Sequence, residues 1–222
     1  MKYTHKYILL ALVPCSLVYA QENAETNALP SSNLKITEDR TEDARILLLL
    51  DVAQAYIAEE DFLSAINAYE RILEIDPEHV QARYIIGHIY ISAKQYKKAE
   101  DLLLILTKEN PDNFRLWNNL AWLYATAEDP SIRDGKKAVK YAHEAMTIAP
   151  NDYHVWSTLS EAYYVSGEYE KSYRAITHMA VLAARYGTDV TEESVKEYNE
   201  QIRKCKRALD TAESMKTDTD SE

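Results

Sequence analysis

Apolar residues recur at spacings of three and four from about Glu42 to about Met215 with hardly a break, the pattern of successive amphipathic helices. Within that run one phrase repeats. A proline is followed thirteen residues later by a tyrosine at Pro77/Tyr90, Pro111/Tyr124 and Pro150/Tyr163, and Tyr56 stands where a copy without proline would place its own. A fixed period in this range marks a repeat architecture.

Each copy carries the same parts. Val52-Ala53, Ile86-Gly87, Leu120-Ala121 and Leu159-Ser160 precede the tyrosine by four and three residues. The small members Ala53, Gly87, Ala121 and Ser160 let a second helix approach closely, and Ala65, Ala99, Ala138 and Ser172 do so from the other side. Proline ends each second helix because the residue before it is pushed out of the α region. The acidic residues that follow, Glu78, Asp112 and Asp152, suit the start of the next helix. Tight turns are predicted at Glu60-Asp61, Lys94-Gln95 and Ser166-Gly167.

This arrangement of small, aromatic and proline positions resembles the tetratricopeptide repeat over about residues 44–185. Tyr56 to Tyr90 and Tyr90 to Tyr124 are both 34 residues, the period of that family. The resemblance implies an all-α fold, a tetratricopeptide-repeat solenoid of about four helix-turn-helix repeats with a long C-terminal capping helix. The array would occupy 41–187, with repeats at about 44–77, 78–111, 112–150 and 151–185. The capping helix would occupy 188–214. Thr191 can cap it, Glu192 and Glu193 suit its first turn, and Val195, Tyr198, Ile202, Cys205, Leu209 and Ala212 form a one-sided stripe that would cover the last core face. Residues 215–222 read as a disordered acidic tail.

Two departures stand out. Tyr124 to Tyr163 is 39 residues, and the surplus falls between the two helices of the third repeat, at about 127–137, where Pro130 and Gly135 agree with a loop. That loop is either a tolerated insertion or a docking element. The fourth repeat lacks its closing proline.

The first residues change the picture of where the protein works. Lys2 and Lys6, the apolar run Tyr7 to Val18 and the end Val18-Tyr19-Ala20 read as a cleavable signal peptide over 1–20. The run is too short for a membrane span and is interrupted by Pro14. Pro14 before Cys15, in place of a small residue, argues against lipidation. Residues 21–40 read as a flexible leader. Cleavage after Ala20 gives an exported protein, periplasmic or secreted, in which Cys205 is the only cysteine and no internal disulfide can form.

Composition and charge then exclude several classes. A net charge of −11, or −13 without Lys2 and Lys6, speaks against a general nucleic-acid role. His5, His79, His88, His143, His154 and His178 are not spaced as metal ligands. No phosphate loop or nucleophile elbow is present. The expectation is a protein that is no enzyme and uses no cofactor or metal.

The resemblance implies that the first helix of each repeat lines a concave groove. Helical spacing would expose Leu47, Leu50, Gln54 and Ile57, then Gln81, Tyr84, His88 and Ile91, then Arg115, Asn118, Trp122 and Ala125, and finally His154, Ser157, Glu161 and Tyr164. Asn119 lies beside this line, where family members use an asparagine to hold a peptide backbone. The partner-binding set is therefore Tyr84, His88, Arg115, Asn118, Asn119, Trp122, Ser157, Glu161 and Tyr164. With Arg115 as its one strong cation, the groove does not resemble the family's carboxylate-gripping type. Its aromatics suit a peptide or helical segment of another protein. The function implied is an interaction module or scaffold of the bacterial envelope. The alternative is a structural subunit or assembly factor of a secretion or outer-membrane assembly complex, working through its convex face and last helix. Leu47 and Leu50 at the open end would be covered by a partner, a second copy, or the leader folding back through Leu34 and Ile36; the last helix is the other surface through which two copies could join.

Overall fold

The computed structural model describes residues 35–188 and 190–219, with side chains described between 41 and 215. The expected signal segment and residues 21–34 of the expected leader lie outside the described residues, as do 220–222. Every described element is helical: α1 (Lys35–Ala58), α2 (Phe62–Ile75), α3 (Val80–Ser92), α4 (Tyr96–Glu109), α5 (Phe114–Thr126), α6 (Gly135–Ile148), α7 (Tyr153–Val165), α8 (Tyr169–Tyr186) and α9 (Glu192–Thr219). Helix therefore begins within the expected leader and continues into the expected tail. The chain forms two compact units, one ending at Gln95 and one beginning at Tyr96.

In the first unit α2 packs against α1 and α3. Its core comes from Ile46, Leu49, Ala53 and Ile57 of α1, Ala65, Ile66, Tyr69 and Ile72 of α2, and α3, where every residue from Ile85 to Ser92 is buried. A helix buried on all sides needs no polar stripe, which is why IIGHIYIS is so apolar. Leu47 stays exposed and Leu50 is half-buried. The side chains of Leu34 and Ile36 lie outside the described residues.

In the second unit α5 packs against α4, α6 and α7, while α8 joins α7 to α9. Ala53, Ala65, Ala99, Ala121, Ala138, Ser160 and Ser172 are all 0% exposed, so the small positions do mark the close helix contacts. The prolines act at a fixed distance from the next helix. Two residues after each, His79, Asn113 and Asp152 accept a backbone N–H of the first turn through their side chains. Six residues after Pro111 and Pro150, the indole N–H groups of Trp117 and Trp156 donate back to the proline carbonyls at 2.7 Å.

The turns close on the repeated tyrosine. Asp61 N donates to Tyr56 O, Gln95 N to Tyr90 O and Glu168 N to Tyr163 O, at 2.8–2.9 Å. With Glu60 N to Ile57 O, Lys94 N to Ile91 O and Gly167 N to Tyr164 O, these form the paired bonds of a Schellman ending. That ending needs a left-handed residue. Gly167 has φ 81°, but Glu60 and Lys94 sit at φ 59° with side chains. Because a side chain there costs about 1 kcal/mol, Glu60→Gly and Lys94→Gly should each raise the unfolding midpoint by a few degrees. Thermal melts of both variants check this; a fall in either midpoint would refute it.

The third repeat reaches the same closure by a longer route. Asp134 N donates to Tyr124 O at 2.9 Å, so the surplus residues bulge out and the chain returns to the carbonyl its relatives use. Glu128 N donates to the hydroxyl of Tyr96, and Asp129 accepts from Ser131 N, which pin the bulge. Gly135, expected in the loop, is the first residue of α6.

The tyrosines differ in what their hydroxyls meet. Tyr90 donates to Glu70 at 3.0 Å and Tyr124 to Glu100 at 2.6 Å. Tyr69 is fully buried, its hydroxyl meets no hydrogen-bond partner among the described residues, and burial pushes its pKa up to about 12. Tyr69→Phe should therefore be neutral or stabilising. Tyr124→Phe should cost about 1–3 kcal/mol, since a bond to a charged acceptor is lost. It should also change the acid side of the stability profile. The Tyr124 hydroxyl is the largest influence holding the Glu100 carboxyl below its ordinary 4.5, with Lys97 and Lys137 adding to it. A lowered carboxylate contributes stability above its unfolded pKa and loses it as pH falls through the folded one. The variant should thus lose less stability than the wild type below about pH 4.5. Denaturant titrations from pH 7 to pH 3 measure both effects.

Candidate functional site

The expected groove residues fall on three helices. Tyr84 and His88 are on α3 of the first unit; the other seven are on α5 and α7, which pack together in the second. Tyr84 is half-buried. His88 is a correction to its expected exposure: only 6% of it is accessible, because α3 is enclosed on all sides there. Ile57, Ile91 and Ala125, also expected on the groove line, are core residues as well.

On α5 the two kinds of residue alternate. Leu116, Leu120, Ala121, Leu123 and Tyr124 are buried, while Asn118, Asn119 and Trp122 are half-buried and Arg115 is exposed. Asn113 starts this helix by accepting from Arg115 N, and the Arg115 guanidinium lies 4.8 Å from the Phe114 ring centre. The Asn118 side-chain oxygen is inaccessible yet meets no hydrogen-bond donor among the described residues. A buried polar oxygen without a donor is uncommon in folded proteins and carries a cost. Trp117 belongs to packing instead, its ring stacked on Tyr141 at 5.8 Å.

On α7 the picture differs from the expected open groove. Glu161 accepts from Gln201 Nε2 at 2.7 Å and from Lys204 Nζ at 2.9 and 3.0 Å, all from α9. Lys204 Nζ also lies 3.9 Å from the Tyr164 ring centre. The Lys204 and Glu161 side chains are only 17% and 12% exposed. Breaking one partner of a pair so shielded leaves a charge poorly solvated, so the clasp is a fixed part of the structure. Ser157 remains half-buried beside it.

The last helix is held from below as well. Cys205 is fully buried and receives the Ser172 hydroxyl at 3.2 Å, with the Ser160 hydroxyl at 3.7 Å; burial pushes its thiol up. Thr191 caps α9 through Ser194 N. Val195, expected on the buried stripe, is 47% exposed, and the preceding Ser194 takes its place against the core. The roles of Gln201 and Lys204 were not legible in sequence, where both are ordinary surface types on a helix. A faint signal was their position on the flanks of the Tyr198–Cys205 stripe.

Among the described residues no group of three or more His, Cys, Asp or Glu is placed to hold a metal ion. No described helix is long and apolar enough to cross a membrane.

Comparison with known proteins agrees with the repeat pattern. Residues 56–123 match the family model described as tetratricopeptide repeat. Superkiller protein 3 of Schizosaccharomyces pombe is 21% identical over 124 residues, which is 55% of this chain and 9% of that protein. Among solved structures, MamA from Desulfovibrio magneticus superposes over 84% of this chain and 100% of its own, with 15% identity and a TM-score of 0.54. A mutant of the Thermobaculum terrenum O-GlcNAc transferase superposes over 65% of this chain and 27% of its own, with 22% identity and a TM-score of 0.54. The chain thus spans a small part of the Superkiller protein and of the transferase. At these identities the structural likeness speaks for the fold alone.

Proposed function

With an all-α tetratricopeptide-repeat fold as the premise, we propose that this protein is a non-catalytic protein–protein interaction module that is exported and works in the bacterial envelope. It captures a peptide or helical segment on the polar and aromatic face of α5, with α7 beside it. The observation that carries this reading is the alternation along α5. Arg115, Asn118, Asn119 and Trp122 lie between the fully buried positions; Arg115 is exposed and the other three keep part of their surface accessible. Asn118 and Asn119 contribute carboxamides to this face, and Trp122 offers a flat amphipathic surface of the kind found at binding hot spots. The clasp of Glu161 by α9 makes Ser157 and Tyr164 the edge of the surface and α5 its centre.

The test is capture from envelope extract by the wild type and by Asn118→Ala with Trp122→Ala, both checked by circular dichroism. Loss of the captured protein with an unchanged helical spectrum is expected. Retention by a folded double variant would remove α5 from the site. The second reading, an assembly subunit working through the last helix, draws on the basic outer row Lys196, Arg203 and Arg207, all exposed. It expects the captured protein to be lost on Arg203→Glu with Arg207→Glu instead. Export is checked separately, because cleavage after Ala20 leaves Gln21 as the first residue of the mature chain.

A further inference from the structure

The outer face of α1 carries a seam that the fold leaves open. Its buried side is Ile46, Leu49, Ala53 and Ile57. Opposite them Thr41, Arg45, Leu48, Val52, Ala55 and Glu59 are all exposed, Leu48 at 64% and Val52 at 37%. Their spacings alternate four, three, four, three, four. That is the heptad rhythm of a helix that packs along one line against another helix. The sequence points to Leu47, Leu50 or the last helix for self-association; the seam on α1 runs beside those leucines, through Leu48 and Val52.

The two ends of the seam are oppositely charged. Arg45 and Glu59 are fourteen residues apart, close to four whole turns, so they lie on the same line of the helix about 21 Å apart. Neither forms an ion pair among the described residues. A helix with a cation at one end of an apolar line and an anion at the other is complementary to itself in the antiparallel sense. Placing a two-fold axis at position 50 sets Leu48 of one copy against Val52 of the other, twice. It also sets Arg45 over Ala55, whose small side chain leaves the guanidinium room to reach Glu59 one turn further. A parallel pairing would instead set Arg45 on Arg45 and Glu59 on Glu59.

We propose that this face binds a second copy of the chain, forming a two-fold antiparallel α1–α1 dimer with reciprocal Arg45–Glu59 pairs. An interface of this kind is isologous and closes at two copies. A seam of six residues buries less than the ~800 Å² per partner of a tightly held dimer, so the association is reversible and set by protein concentration. None of the proposed groove residues takes part, and the dimer presents two such surfaces.

Sedimentation of the full chain over about 1–200 μM tests this, a range suited to an interface below the usual size. A monomer–dimer equilibrium is expected. Leu48→Lys, at an exposed position that leaves the core intact, should weaken it at least tenfold. Arg45→Glu should also weaken it, and Arg45→Glu combined with Glu59→Arg should restore it, as reciprocal Arg45–Glu59 pairs require. A monomer at every concentration overturns the proposal, as does a dimer indifferent to Leu48→Lys. Failure of the double exchange to restore pairing overturns the antiparallel arrangement. A monomer in which a thiol placed by Leu48→Cys resists labelling would show that the chain's own first residues cover the seam, and that also overturns it.

Discussion

A chain ending at Thr188 should lose the cooperative unfolding of its second unit. Without α9 the cluster of Tyr153, Ile176, Met179, Leu182 and Ala183 loses Cys205 and the packing of Val190, Tyr198 and Ile202. Each such apolar side chain contributes about 1.5–3 kcal/mol when fully buried and less when half-buried. The deletion also strips Glu161 of Gln201 and Lys204 and uncovers the Ser160–Ser172 pair. The sum is about 5 kcal/mol or more, on the scale of a whole domain's ~5–15 kcal/mol. Calorimetry of the truncated chain decides it. A midpoint within about 5 °C of the intact protein would mean that α9 is an appendage and not a structural part.

The second large effect is at Gly135. A β-carbon there would lie 2.9 Å from Ser166 Cα and 2.9 Å from Ser166 N, which are backbone atoms of the turn between α7 and α8 and cannot swing aside. Gly135→Val should therefore push α6 off that turn and cost about 2–3 kcal/mol, in the range of overpacked cores. Gly167→Ala, in the next repeat and with no atom within 4 Å of the added carbon, should cost only the strain of its φ of 81°. Urea titration of the two variants separates crowding from backbone strain. If Gly167→Ala proved the more damaging, the close approach at Gly135 would not be what matters there.

Much of this contrast was hidden in the sequence. Both glycines look like turn residues, and Gly135 follows a proline and an insertion, so a loop was the natural reading. What the sequence lacks is the distance between the third and fourth repeats. Only when the bulge returns Asp134 to the Tyr124 carbonyl does Gly135 begin a helix against Ser166. The small positions were legible because their requirement is local to a repeating contact. Ala65, Ala99 and Ala138 are small for one reason, and the period shows it.

The candidate surface divides in the same way. Arg115, Asn118 and Trp122 could be separated from Leu116, Leu120 and Tyr124 by helical spacing alone, and α5 keeps that division. His88 could not, since spacing says which side of a helix a residue takes and not how many sides are enclosed. Glu161 could not either: Gln201 and Lys204 reach it from forty or more residues away in the chain.

By itself, then, the sequence determined the helices, their pairing, the turn positions and the residues that must be small, because each follows from a period of a few residues repeated along the chain. Tertiary structure alone decided that α3 is buried throughout from Ile85 to Ser92, that α9 grips Glu161 and buries Cys205 between two serines, and that Leu48 and Val52 lie open on α1. Those outcomes depend on which surfaces meet when distant segments pack, and no local spacing records that.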